Sequence, residues 1–245
     1  MFQPRTYRAL AATDRLSAFT VTVKETDLQV QAQSNLEDLT RELVLEHRGY
    51  LEAYIRRHPP FLSTLEPWPL SGPAPDVVRD MVAAGAAAGV GPMAAVAGAI
   101  AERVGRGLLP HSAEVIVENG GDVFLQTAKA ATVALFAGSS PLSLRVGVHV
   151  ACRERPLGVC TSSGTVGHSL SFGRADAVCV LSRSCALADA AATAIGNRVQ
   201  SKRDIDRALE FGRNIHGVQG LAIVVGDRLG VWGEVEIVPL QRKRG

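Results

Sequence analysis

Apolar and polar residues alternate along Phe19-Thr-Val-Thr-Val-Lys24 and again along Leu28-Gln-Val-Gln-Ala-Gln33, on either side of a polar Glu25-Thr-Asp27 corner. Period-two patterning broken by such a corner predicts a β-hairpin with one buried face. Ser34-Asn-Leu-Glu37 then reads as a capping box opening a helix. Its apolar stripe uses Leu36, Leu39, Leu43, Leu51, Tyr54 and Ile55, and it stops ahead of Pro59-Pro60. Residues 61–75, rich in proline, are expected to be a loop. A second helical region begins near Asp76 and breaks at Gly89-Val-Gly-Pro92, where Pro92 suits the first turn of a new helix running to about Arg106. Strands at 114–117 and 123–126 follow, joined by Asn119-Gly-Gly-Asp122.

The same order then recurs. Residues 132–136 and 144–151 flank a Gly138-Ser-Ser-Pro141 turn as a second opening hairpin. Helices are predicted at 183–198 and 203–212, and strands 221–225 and 229–232 close a hairpin around Gly226-Asp-Arg228. Residues 158–181 form an extra block between that opening hairpin and its helices, ending in the strand-like 177–181. The expected fold class is α+β: two tandem β-β-α-α-β-β halves, 1–128 and 129–245 of a single domain, with mainly antiparallel sheets and helices on one face.

Composition adds limits rather than a function. The hydrophobic share is 47% and the charged share 20%, which places the chain among globular proteins. A net charge of only +2 gives no field that would gather nucleic acid or an anionic membrane, so neither is an expected partner. The uncharged stretch 81–101 is mostly Ala and Gly and is interrupted by Pro92, so it gains little from lipid and reads as buried helix. Cys152, Cys160, Cys179 and Cys185 have neither zinc-site nor disulfide-framework spacing. Buried reduced thiols and a cytoplasmic setting are expected, and Met1-Phe-Gln-Pro-Arg-Thr-Tyr-Arg8 holds no apolar signal core.

Four segments could carry chemistry. Asn119-Gly120-Gly121-Asp122 is first of all a hairpin turn, and Glu118 before it makes the turn unusually polar. Its glycines would also let backbone approach a ligand, with an amide and a carboxylate beside them. Asp189 and Thr193, four apart in an otherwise small-residue helix, set a carboxylate and a hydroxyl one turn apart on one face. Those oxygens suit Mg2+, and equally suit a helix whose Asp favours the positive end and whose Thr bonds back to a carbonyl. Thr161-Ser162-Ser163-Gly164-Thr-Val-Gly-His168 offers hydroxyls and N–H groups to a diphosphate, with His168 available for proton transfer. Gly89-Val-Gly-Pro92 could bind an anion at a helix start or serve tight packing.

The order of these landmarks resembles that of the ApbE-type flavin transferases: Gly-Gly-Asp, a Thr/Ser-Ser-Gly loop, a histidine, a strand, then Ala188-Asp-x-x-x-Thr193. Glu25-Thr-Asp-Leu28, Val90-Gly-Pro-Met-Ala-Ala-Val-Ala-Gly-Ala-Ile-Ala101 and Val117-Glu-Asn-Gly-Gly-Asp-Val123 look like a compact branch of that superfamily, a likeness covering most of the chain. To the catalytic family the likeness spans 118–193. It implies a duplicated, T-fold-like α+β architecture and an enzyme that cleaves FAD with Mg2+ and transfers FMN to a Thr or Ser of an acceptor flavoprotein. By motif, Asp189 and Thr193 resemble the metal ligands. Gly120, Gly121 and Asp122, with Glu118 and Asn119 beside them, resemble the flavin-site turn. Ser162, Ser163 and Gly164 resemble the family's Thr-Ser-Gly loop, and His168 its His-x-x-Asp-Pro histidine.

The chain departs from that last motif. It reads His168-Ser-Leu-Ser171-Phe172, with serine for the aspartate and phenylalanine for the proline. A serine supplies neither the charge nor the basicity of a carboxylate. Binding of FAD or FMN with Mg2+ therefore carries over better than transfer, and a flavin- or nucleotide-binding carrier, sensor or assembly factor stands as the alternative.

Overall fold

A computed structural model describes residues 15–151, 155–164 and 172–240. The opening hairpin forms as its alternation predicts: β1 (Ser17–Val23) and β2 (Thr26–Ala32) pair antiparallel. Then come α1 (Glu37–Arg57), α2 (Asp76–Ala88), a 3-10 turn (Pro92–Ala95) and α3 (Val96–Leu108). The middle of the chain gives β3 (Val115–Asn119), β4 (Asp122–Gln126), β5 (Ala131–Ala134), β6 (Val146–Val150), β7 (Leu157–Ser162) and β8 (Ala177–Ser182). It ends with α4 (Cys185–Gly196), α5 (Ile205–Arg213), β9 (Val218–Val225), β10 (Arg228–Gly233) and β11 (Glu236–Pro239).

Eight strands make one antiparallel sheet in the order β1-β2-β3-β4-β7-β8-β9-β10, and β11-β6-β5 make a second. Successive side chains on a strand leave opposite faces, and the large sheet uses both. Val117, Phe124, Cys160, Val180 and Leu221 face the helices in the main core. Val123, Leu125, Val159, Cys179 and Ala222 face the small sheet, where Leu135, Val148 and Val150 meet them. The result is three layers, with the helices on one face of the large sheet as expected for this α+β class.

Two expectations need correction. The hairpin predicted at 132–136 and 144–151 exists as β5 and β6, but it belongs to the small sheet and does not open a second set of four strands. The supposed extra block 158–181 supplies that opening pair, because β7 and β8 lie at the centre of the large sheet. Nor does the capping box at Ser34 form. Helix α1 starts after Leu36, and Asn35 Oδ1 accepts the Glu37 N–H at 2.9 Å. A short side chain two residues upstream reaches that N–H directly, so the more distant serine is not needed.

The stretch 81–101 is two helical pieces packed in the main core, as predicted. Among the described residues no single helix is long and apolar enough to cross a membrane, and Asp76–Ala88 and Pro92–Leu108 are bent by 106°.

Candidate functional site

Two glycines make the centre of the site possible. Gly120 and Gly121 have φ of 69° and 109°, and they close the two-residue turn between β3 and β4. Positive φ at both central positions matches the twist of a tight hairpin, and glycine adopts it without steric cost. The Gly121 N–H donates to Glu118 Oε1 at 3.0 Å, and its carbonyl accepts the Thr161 N–H at 3.2 Å. The turn is thereby tied to the end of β7, where Ser163 and Gly164 leave the sheet after Ser162.

Strand alternation then sorts the side chains. Asn119 and Asp122 point to the helix face, as Val117 and Phe124 do, whereas Glu118 leaves on the other face. Asn119 Nδ2 donates to the Ala97 carbonyl at 3.1 Å. Asp122 is cross-strand partner to Cys160, which lies under the start of α4, its Sγ 3.4 Å from that of Cys185. Helix α4 carries Asp189 one turn after Cys185 and Thr193 one turn further, on one face of the helix.

Helices α3 and α4 run antiparallel and cap each other. Asp189 Oδ2 accepts the N–H of Gly98, in the first turn of α3, at 2.9 Å, and Glu102 Oε2 accepts the N–H of Cys185, the first residue of α4, at 2.7 Å. Free N–H groups of a helix's first turn welcome a carboxylate. The approach needs a glycine, since a Cβ on Gly98 would sit 2.4 Å from the Cys185 carbonyl oxygen. These partners, Gly98 and Glu102, were not anticipated from sequence, because each contact joins segments more than eighty residues apart.

Electrostatics set this end apart. Burial pushes Asp189 up to about 7 against the opposing effect of the Gly98 and Ala97 N–H groups. Asp122 is raised well above the usual carboxylate range, first by burial and then by the negative charge of Asp189, while the Cys160 thiol opposes the rise. Burial also raises the Cys160 thiol, so it is a poor nucleophile. Cys160, Cys179 and Cys185 are free and buried, as expected, and Cys152 lies outside the described residues. Among the described residues no three His, Cys, Asp or Glu side chains converge into a metal cage. The carboxylates of Asp122 and Asp189 act on each other here, and acid oxygens suit a hard cation that completes its shell with water and phosphate.

The remaining predicted residues fall into place unevenly. Ser162 and Ser163 are partly exposed beside the glycine turn, but the Gly164 N–H is bonded to the Ala175 carbonyl at 2.9 Å and is not available to a ligand. His168 and Ser171 lie outside the described residues. Phe172 is 56% exposed, and its N–H donates to Asn197 Oδ1. Gly89 and Gly91 serve packing: the first ends α2 in a left-handed conformation, and the second lies against the Thr64 carbonyl. A cleft of about 300 Å³ beyond the end of α4, lined by Ala88, Arg198 and Phe211 among others, includes none of the predicted site residues.

The three-layer fold is that of the ApbE proteins. The flavinyl transferase ApbE of Pseudomonas stutzeri superposes with a TM-score of 0.59 at 14% identity, covering 89% of this chain and 94% of that one. The flavin transferase ApbE of Vibrio cholerae gives 0.57 at 12%, covering 89% and 96%. In sequence, a UPF0280 protein of Methanocella arvoryzae is 42% identical over 214 residues, 87% of each chain. One of Methanocaldococcus jannaschii is 40% identical over 230 residues, 91% of this chain and 93% of that one. The chain belongs to the family described as "AbpE bacteria", which matches residues 8–235.

Proposed function

We propose that the protein binds a flavin nucleotide, FAD or FMN, with Mg2+ at the β4–β7–α4 end of the large sheet, and that it cleaves FAD there. The observation that carries this reading is convergence. The Gly120-Gly121 turn is bonded to the end of β7 that runs into Ser162-Ser163, and Asp189 of α4 acts on Asp122 beside that turn, so three separate parts of the chain come to one end of one sheet. The structural neighbours, a flavinyl transferase and a flavin transferase, suggest the substrate class.

In this reading Asp189 and Thr193 would hold the cation, which would supply charge to offset that of the phosphates. The glycine turn lets the nucleotide come close to backbone, and the Ser162 and Ser163 hydroxyls take its phosphate oxygens. His168 moves the proton. The bond that breaks is the one joining the two phosphates of FAD, releasing AMP, while the flavin phosphate passes to water or to a hydroxyl of an acceptor flavoprotein. The free thiols of Cys160, Cys179 and Cys185 accord with a cytoplasmic setting.

One observation favours a second reading. Ser171 and Phe172 stand where the catalytic family has Asp-Pro, so the carboxylate that accompanies the histidine is missing. A carrier, sensor or assembly factor that binds flavin without cleaving it needs no such group. Incubation of purified protein with FAD, FMN and Mg2+, followed by mass spectrometry, separates the two. AMP and FMN formed by the wild type and abolished in Asp189→Ala support the enzyme. Bound but intact FAD supports the carrier, and absence of any flavin binding rejects both.

A further inference from the structure

Asp122 differs from every other buried acidic residue described. Glu102 is paired with Arg106 at 2.8 Å, and Glu114 is paired with Arg15. Asp27 accepts the Thr22 hydroxyl, and Glu118 accepts the Gly121 N–H. Asp122 is only 7% exposed, yet its Oδ1 has no hydrogen-bond partner, the one such carboxylate oxygen among the described residues. Its cross-strand partner Cys160 lies 3.4 Å, sulfur to sulfur, from Cys185 at the start of α4, the helix that carries Asp189 one turn on, and the Asp189 carboxylate acts on Asp122 with no Lys or Arg opposing it.

A buried acidic oxygen without a donor costs free energy, and a second negative charge beside it adds to that cost. Such a pair also repels the diphosphate that the proposed function brings to the same place. A divalent cation removes both difficulties at once, because its charge balances the two carboxylates and it supplies the partner that Oδ1 lacks. The motif resemblance would place Asp122 against the flavin. Its position argues otherwise, because the side chain is buried between β4 and α4, on the face that Asp189 approaches.

We propose that Asp122 is a metal ligand, forming with Asp189 a two-carboxylate site that takes a divalent cation before any nucleotide arrives. This rests on the metal position of the proposed function and adds to it a second carboxylate and an order of binding. With both carboxylates in place the cation has protein ligands enough to be held alone, and the phosphates then meet a positive centre.

The test is calorimetric titration of the full chain with Mn2+ and with Mg2+, without nucleotide, together with thermal melts in EDTA. Wild type should bind one cation. Asp122→Asn and Asp189→Asn should each weaken binding by at least the roughly 10- to 100-fold that loss of even an outer-shell partner costs. In EDTA, Asp122→Asn should melt about 2–4 °C higher than wild type, because it removes the cost of burying an ionisable acid beside Asp189. It should also lose the rise in Tm that Mn2+ gives the wild type. A residue needed only for folding would lower the melting temperature, and that result overturns the proposal. So does wild-type affinity for Mn2+ in Asp122→Asn, or no binding to the wild type without nucleotide. FAD binding and cleavage assayed separately keep the two claims apart. Cation binding lost in Asp122→Asn while no flavin binds would uphold this site and reject the proposed function, and Mg2+-dependent FAD cleavage with unchanged cation affinity in Asp122→Asn would do the reverse.

Discussion

The two ends of the α3–α4 contact use the same device with opposite electrical balance. At one end Glu102 caps the start of α4, and Arg106 and the Ser184 hydroxyl complete its surroundings. At the other Asp189 caps the start of α3, but the group facing it is Asp122, another acid. The first end is electrically closed, and the second sets two acids together with no base facing them. The fold shows that it can neutralise a buried carboxylate with an arginine one turn away. It does not do so at Asp122 and Asp189, the pair proposed to take a cation.

The comparison depends first on the close approach of the helices. Gly98→Val should cost about 3 kcal/mol, at the upper end of overpacking penalties, since the added atoms meet the Cys185 backbone. Urea denaturation would show it, and a loss below about 1 kcal/mol would mean the helices can separate freely. Next in size is Glu102→Ala, which leaves the Cys185 N–H without its acceptor and should cost about 1–2 kcal/mol. A comparable loss in Asp122→Asn would erase the difference between the two ends, because the closed end alone should be destabilised by removing its acid.

A pH series sharpens the contrast further. Asp189 holds its proton up to about 7 in the folded protein, against an ordinary value of 3.8. Between those values the native state binds more protons than the unfolded chain, so this group's stabilising contribution is full at the acidic end and is lost as pH rises through about 7. In EDTA, the wild-type melting temperature should therefore fall over that window relative to Asp189→Asn, and parallel curves would refute the assignment. The smallest effect belongs to the surface. Lys202→Ala removes an exposed pair with Asp227 and should leave the melting curve unchanged within error.

The sequence was informative where structure is local. The alternation at Phe19, Val21 and Val23 marked a hairpin, and Asn119-Gly-Gly-Asp122 marked a turn, since both signals come from adjacent residues. The spacing of Asp189 and Thr193 put them on one helix face for the same reason. Pairing across the chain was not visible. Strand β8 is buried on both faces, so it shows no alternation, and no tight-turn sequence announces its pairing with β7. The strands β5 and β6 were recognisable, but period two says nothing about which sheet a hairpin joins. At the site, Asp122 and Asp189 could be named singly, whereas their meeting depends on the β4–β7 seam and on Gly98, both long-range features. The reciprocal caps have no local signature at all.

The small sheet also bears on the order in which the molecule can be assembled. Its middle strand β6 lies between β5 and β11, and β11 is synthesised after every other described strand. As the chain emerges from the ribosome, one side of β6 has to wait with its backbone groups unpaired, while the helix layer and most of the large sheet already have their partners. Non-local pairings of this kind are slow to close and leave strand edges exposed meanwhile. The layer behind the candidate site is thus the last to be sealed, and a nascent chain that stalls before residue 236 would present an open sheet edge to its neighbours.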